Sequence, residues 1–202
     1  SSTVDKEVMA SKFKELQIPL NPNSKVLLIL ARADSWAEDV SDSDRMLYFY
    51  AIQNIFNELF SPYMTSLPVI LDYSKILWLL QLKDAGQIDN EDIVWDKVMS
   101  IINGTLEMVQ NTCKELLNIT LSFIKGSQPH NWINLGLKFD NMRLMLDREL
   151  GLGQEMILSE DNKKIGYKYN CSVTPLHYSG KIRLLETYLE TGDKNKFHEE
   201  FI

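Results

Sequence analysis

The chain has 202 residues, 45% hydrophobic and 24% charged, which is enough for one good core and too little for two full domains. A net charge of −7 argues against nonspecific binding to nucleic acid or anionic membranes. Cys113 and Cys171 lie far apart, His130, His177 and His198 are scattered, and no CxxC pair occurs, so neither a disulfide nor a metal site is expected.

From Thr3 to Gln17 the sequence reads as a helix, with Val4, Val8, Phe13 and Leu16 in a loose apolar stripe. It suits either a helix docked on the core or the tail of a longer one arriving from upstream. Pro19 and Pro22 then break the chain. The run KVLLILAR, Lys25 to Arg32, is almost continuously apolar and predicts a central buried strand. Ala33 to Ser43 is an acidic loop, and Ser41 or Ser43 can cap the next helix, with Asp42 and Asp44 favourable at its positive end. That helix spans Arg45 to Phe60, with Tyr48, Ile52, Ile55, Phe56 and Leu59 at helical spacing, and Ser61-Pro62 stops it.

Two apolar runs follow, Leu67 to Leu71 and Ile76 to Leu80, separated by Asp72-Tyr73-Ser74-Lys75. They predict a hairpin with both strands buried, since neither alternates cleanly with polar residues. After a loop from Lys83 to Asn90, a long helix is expected from Glu91 to Asn118, with Val98, Ile101, Ile102, Leu106, Val109, Cys113 and Leu116 as its core face. Cys113 on that face reads as a buried thiol. ITLSFI, Ile119 to Ile124, is a short strand, and Gly126 to Pro129 turns the chain. Asn131 to Leu150 is a helix striped by Trp132, Leu135, Phe139, Met142, Leu146 and Leu150; Gly151 and Gly153 end it, and Glu155 to Leu158 is a small edge strand. Thr174-Pro175 suits a helix start, and Ile182, Leu185 and Leu189 stripe a last helix.

The order strand, helix, strand, strand, helix, strand contains a βαββαβ core, the ferredoxin-like split. It predicts an α+β fold with an antiparallel sheet, helices on one face, and extra helices at both ends.

Chemistry-bearing patterns are sparse. There is no GxSxG, no P-loop, and no Cys with a nearby His. The acids Asp34, Glu38, Asp39, Asp42 and Asp44 match no EF-hand spacing and read as a solvated loop. Lys163 to Tyr169, KKIGYKY, mixes basic and aromatic residues and reads as an exposed hairpin or linker. Trp36 lines a small-molecule pocket, covers a sheet edge or packs under the long helix. Met99, Met108, Met142 and Met145 read as gap-fillers in the core or at its edge. No apolar run reaches transmembrane length and no signal peptide opens the chain, so a cytoplasmic protein without a membrane partner is expected. The chain opens at Ser1-Ser2 and stops at Phe201-Ile202 inside an amphipathic segment, so an excised fragment of a longer protein is expected.

KVLLILARADSW, DRMLYFYAIQNIFNELF and VILDYSKILWLLQL together resemble the middle region of AraC-type two-component response regulators. NITLSFIKG and KIRLLETYLETGDKNKFHEEF resemble its later strand and the connector beyond it. In that family a degenerate GGDEF-like domain lies between a receiver and paired helix-turn-helix units. The resemblance implies residues 1–22 as leading helix and linker, 23–160 as the GGDEF-like domain, and 161–202 as connector helices toward a DNA-binding domain. An active cyclase needs metal-binding acids at the end of the first strand and a glycine-acid motif in the hairpin turn. Here Ala31 and Ala33 stand at the first, Asp34 is one place off, and the turn Asp72-Tyr73-Ser74-Lys75 has no glycine, with Lys75 near the motif acid. No catalytic residue, metal ligand or cofactor is therefore expected.

The resemblance implies a non-catalytic relay domain of a transcriptional regulator, coupling receiver phosphorylation and dimerisation to DNA binding. Its partners would be a second copy and, through other domains, a sensor histidine kinase and promoter DNA. The helices from Thr3 to Gln17 and from Lys181 to Leu189 would act as its levers. The alternative is a small-molecule or nucleotide sensor using the degenerate groove, with Asp34, Trp36, Asp72, Tyr73 and Lys75 as candidate ligand contacts.

Overall fold

The computed structural model of the chain describes residues 2–36, 40–148 and 155–161. The expected features at Glu38, Asp39, Leu150, Gly151 and Gly153, the KKIGYKY segment, Cys171, the Thr174-Pro175 helix start and the last helix lie outside the described residues.

Helix α1 spans Ser2–Glu15, and the chain reaches strand β1, Leu27–Ser35, through the proline-broken linker. Helix α2 spans Asp42–Phe60. Ser41 caps it: its Oγ accepts from the Asp44 N–H, and the Asp44 carboxylate accepts from the Ser41 N–H, a reciprocal capping box. Strands β2, Met64–Ile70, and β3, Lys75–Leu82, form the hairpin. Helix α3 covers Glu91–Leu117, and Asn118 ends it in the left-handed conformation at φ 55°. Strand β4 is Thr120–Lys125, helix α4 is Leu135–Arg148, and strand β5 is Ile157–Ser159.

The strands form one α+β sheet in the order β2-β3-β1-β4-β5. The pairs β2/β3, β3/β1 and β1/β4 are antiparallel, whereas β5 runs parallel to β4. The sheet is thus mixed, which corrects the fully antiparallel expectation. The passage from β4 through α4 returns the chain to the same end of the sheet, and a strand laid down after such a crossover is parallel.

Helices pack on both faces, a second correction. Leu27, Ile29, Ala31, Trp78, Leu80 and Phe123 point to the side of α2 and α3, where the larger core forms with Phe49, Ile52, Phe56, Ile102, Leu106 and Val109. Alternate residues point the other way. Leu28, Leu30, Leu77 and Ile124 meet Leu135, Met142 and Leu146 of α4 in a smaller core. The expected stripe holds from Leu135 to Leu146, whereas the helix begins at Leu135 and not at Asn131, with Trp132 in a short 3-10 turn ahead of it that still packs on this core. Cys113 is fully buried, and burial pushes its thiol pKa up to about 12.

The hairpin strands are not equally buried. β3 is interior, but β2 is the sheet edge, and Val69 and Ile70 are exposed. The ladder bonds of Leu71 N–H to Lys75 and of Lys83 N–H to Tyr63 put the inward-facing groups of β2 on odd-numbered residues. Pro68, at an even position, therefore turns its missing N–H outward and costs no ladder bond. On α3, Trp95 and Gln110 are buried while Ile101 and Leu116 of the expected core face are exposed, as is Met108. A helix lying on a sheet buries one ridge, and these three residues fall outside it. α1 attaches through Phe13, whose ring meets Trp132 edge-on at 4.7 Å, whereas Val8 and Leu16 are exposed.

Candidate functional site

The end of β1 next to the hairpin turn carries a network of charges under the last turn of α4. Arg32 closes the apolar run of β1 and lies directly opposite Lys75 of β3 and Ser122 of β4. These three residues share the α4 face of the sheet. The β1/β4 register shifts between Ala33 and Ser35, so Asp34 is the extra residue of a bulge. A bulge re-aims a side chain, and here Asp34 turns to Arg32 and Ser122.

Arg32 is buried. Its Nε and Nη2 donate to Asp34 Oδ1 at 2.7 Å each, and its Nη1 donates to the Leu146 carbonyl of α4, also at 2.7 Å. The cation thus meets a carbonyl in the last described turn of α4, the end of a helix where positive charge is favoured. Asp34 also accepts from Ser122 Oγ, and Ser122 accepts from the Met156 N–H at 3.3 Å. A continuous chain of bonds therefore joins the approach to β5, strands β4 and β1, and the end of α4.

Lys75 lies alongside, within 3.2 Å of Asp147 on α4 and 3.4 Å of Asp72 in the turn. Ser74 donates to Asp72 from its N–H at 2.8 Å and its Oγ at 2.9 Å, closing the turn, and the Ser74 carbonyl accepts from the Ala33 N–H. Burial pushes the Asp72 carboxyl up, but the two Ser74 bonds and the Lys75 charge outweigh it and leave the pKa below its ordinary value of 3.8.

Of the five candidate contacts, Asp34, Asp72 and Lys75 come together at this end of the sheet. Trp36 and Tyr73 do not join them. Trp36 packs on the opposite face, 5.3 Å from the Phe49 ring and 6.2 Å from Tyr48, with the Arg45 guanidinium over it at 5.5 Å. Tyr73 projects from the turn, 60% exposed. The residues that complete the network are Arg32, Ser122, Leu146 and Asp147. Their signal in the sequence was a charged and a hydroxyl residue inside otherwise apolar strands, since such groups are buried only with partners.

What this arrangement does chemically is neutralise itself. Each cation already faces a carboxylate, and the helix end fills the space above them. Among the described residues no three His, Cys, Asp or Glu side chains are grouped to hold a metal ion, and no helix is long and apolar enough to cross a membrane. A shallow cleft of about 460 Å³ lies at the far end of the hairpin, beside Asn21, Gln81 and Gly86. Gln81 is engaged there: its Nε2 donates to the Asn21 and Ser24 carbonyls and its Oε1 accepts from the Asn21 N–H. In comparisons with known proteins, no family model matches the chain, and no curated protein or solved structure matches it either.

Proposed function

We propose that this is a non-catalytic signal-relay domain of a cytoplasmic transcriptional response regulator, built on a degenerate GGDEF-like core of the ferredoxin-like type. The strand order β2-β3-β1-β4 with α2 and α3 between strands supports the βαββαβ reading. One observation carries the loss of catalysis. Arg32 and Lys75 face each other at the strand end and turn, where a cyclase would gather acids around divalent cations. The acids that remain there, Asp34, Asp72 and Asp147, are paired with these two cations instead of with a metal ion.

On this reading α4 is fastened to the old catalytic end of the sheet and its position, not a reaction, is the domain's output. A relay requires two arrangements of the helices that the partner domains prefer differently. Incubation with GTP or ATP and Mg²⁺ or Mn²⁺ should yield no cyclic product; sustained turnover would overturn the reading. In the full-length regulator, phosphorylation should change the affinity for promoter DNA, and Arg32→Ala should weaken that change while leaving DNA binding itself intact. DNA affinity indifferent to phosphorylation would remove the relay.

A further inference from the structure

The outward face of α3 carries an apolar pattern that the described residues leave exposed. Ile93, Ile101, Met108 and Leu116 are 54%, 41%, 54% and 71% exposed. Their spacing is symmetric about the Gly104–Thr105 peptide. Ile101 and Met108 lie equally far from it on either side, and so do Ile93 and Leu116, and Lys97 and Thr112.

Gly104 sits at the centre of this pattern in the middle of a 27-residue helix, and a Cβ added there would meet nothing within 4 Å. Glycine in a helix interior costs about 0.5–1 kcal/mol relative to alanine. Among the described residues neither a turn nor a close contact requires it here. A second helix approaching closely at that point would.

We propose that α3 pairs with α3 of a second copy of this chain, antiparallel, on a two-fold axis at Gly104–Thr105. A two-fold axis demands a self-complementary surface, and in an antiparallel pair the mirror spacing sets each of these apolar residues opposite another, while the charges along the helix decide against the parallel pair. Ile101 then meets Met108 of the second copy, and Ile93 meets Leu116 of the second copy at the outer ends. Lys97 and Glu115, both exposed, come within about one helical turn of each other across the pair, twice by symmetry. A parallel pairing would instead set Lys97 against Lys97 and Glu115 against Glu115. The sheet edge offers a poorer route, because Pro68 interrupts the outward donors of β2.

The interface stands on the surface of α3 alone and does not need the relay reading. Sedimentation velocity of the 202-residue chain from low to high micromolar concentration should show a monomer–dimer equilibrium. Ile101→Glu combined with Met108→Glu should raise the dimer dissociation constant about tenfold or more, with circular dichroism and melting of the monomer unchanged. Lys97→Glu should weaken the dimer, and adding Glu115→Lys should restore it, as only the antiparallel arrangement permits. A chain that remains monomeric overturns the proposal, as does a dimer indifferent to the Ile101/Met108 pair or a charge swap that fails to rescue. A dimer formed through another surface would remove this interface while leaving the relay reading intact.

Discussion

The two faces of the sheet are held by different forces. On the α2/α3 face, Phe60, Phe56 and Trp78 stack in series, with centroids 4.3 and 4.1 Å apart and planes within 15°. Around them lies a continuous apolar core. On the α4 face the apolar cluster is smaller, and the end of the helix is tied down by Arg32 and Lys75. Apolar burial is non-directional, so this face is held by the area removed from water and by close packing, not by a few individual bonds. A buried ion pair depends on geometry, and removing one partner strands the other without water. The first face sets whether the chain folds, while the second sets where one helix rests.

That contrast can be broken experimentally. The largest effect is expected from Trp78→Ala, which removes the centre of the stack and should cost about 3–5 kcal/mol in denaturant unfolding. A loss under about 1 kcal/mol would place the main core elsewhere. Arg32→Ala should cost about 3 kcal/mol, because Asp34 is left buried beside Ser122 with no cation. Arg32→Met with Asp34→Leu should recover most of that loss, since apolar replacements of a buried pair are often neutral. Hydrogen exchange should locate the opening of the single variant in α4; protection lost equally across α2 and α3 would erase the distinction between the faces.

Gly104→Ala sharpens the comparison from the opposite direction. It should stabilise the monomer by about 0.5–1 kcal/mol, because the added methyl enters open space on a helix whose inner face is already well packed. The smallest effect concerns pH. The Asp72 pKa is depressed in the fold, so its ionised form contributes stability above pH 3.8 that is lost as pH falls through the lower folded value. Wild type and Asp72→Asn should therefore differ near neutrality and converge below that range. A gap that widened in acid would mean that Asp72 is not stabilised by Ser74 and Lys75.

Much of the architecture was legible from periodicity. KVLLILAR announced β1, and Ser41 or Ser43 announced a cap for α2, because caps and apolar periods are local signals. The structure uses Ser41 and starts the helix at Asp42, three residues before the expected Arg45, since such signals do not fix the boundary itself. The position of β2 was not legible in the same way. LPVIL has the texture of a buried strand, and strand order is decided by long-range pairing; only Pro68 hinted at an edge. On α3, Ile101 and Leu116 fitted a helical stripe, but the sheet beneath admits one ridge and Trp95 and Gln110 occupy it. The candidate site divides similarly. Asp72 and Lys75 are neighbours in a turn and could be paired by eye. Arg32, Ser122 and Asp147 meet only after three strands are in register and α4 is docked.

The proline on the edge strand has a consequence beyond its own ladder. An open strand with apolar side chains on both faces invites chains to zip together without limit, which is how fibrils begin. By withdrawing one donor from the middle of that row, Pro68 denies an incoming strand a regular template. The apolar surface around Val69, Ile70 and Leu71 is thus flanked by an interrupted row of donors instead of a continuous one.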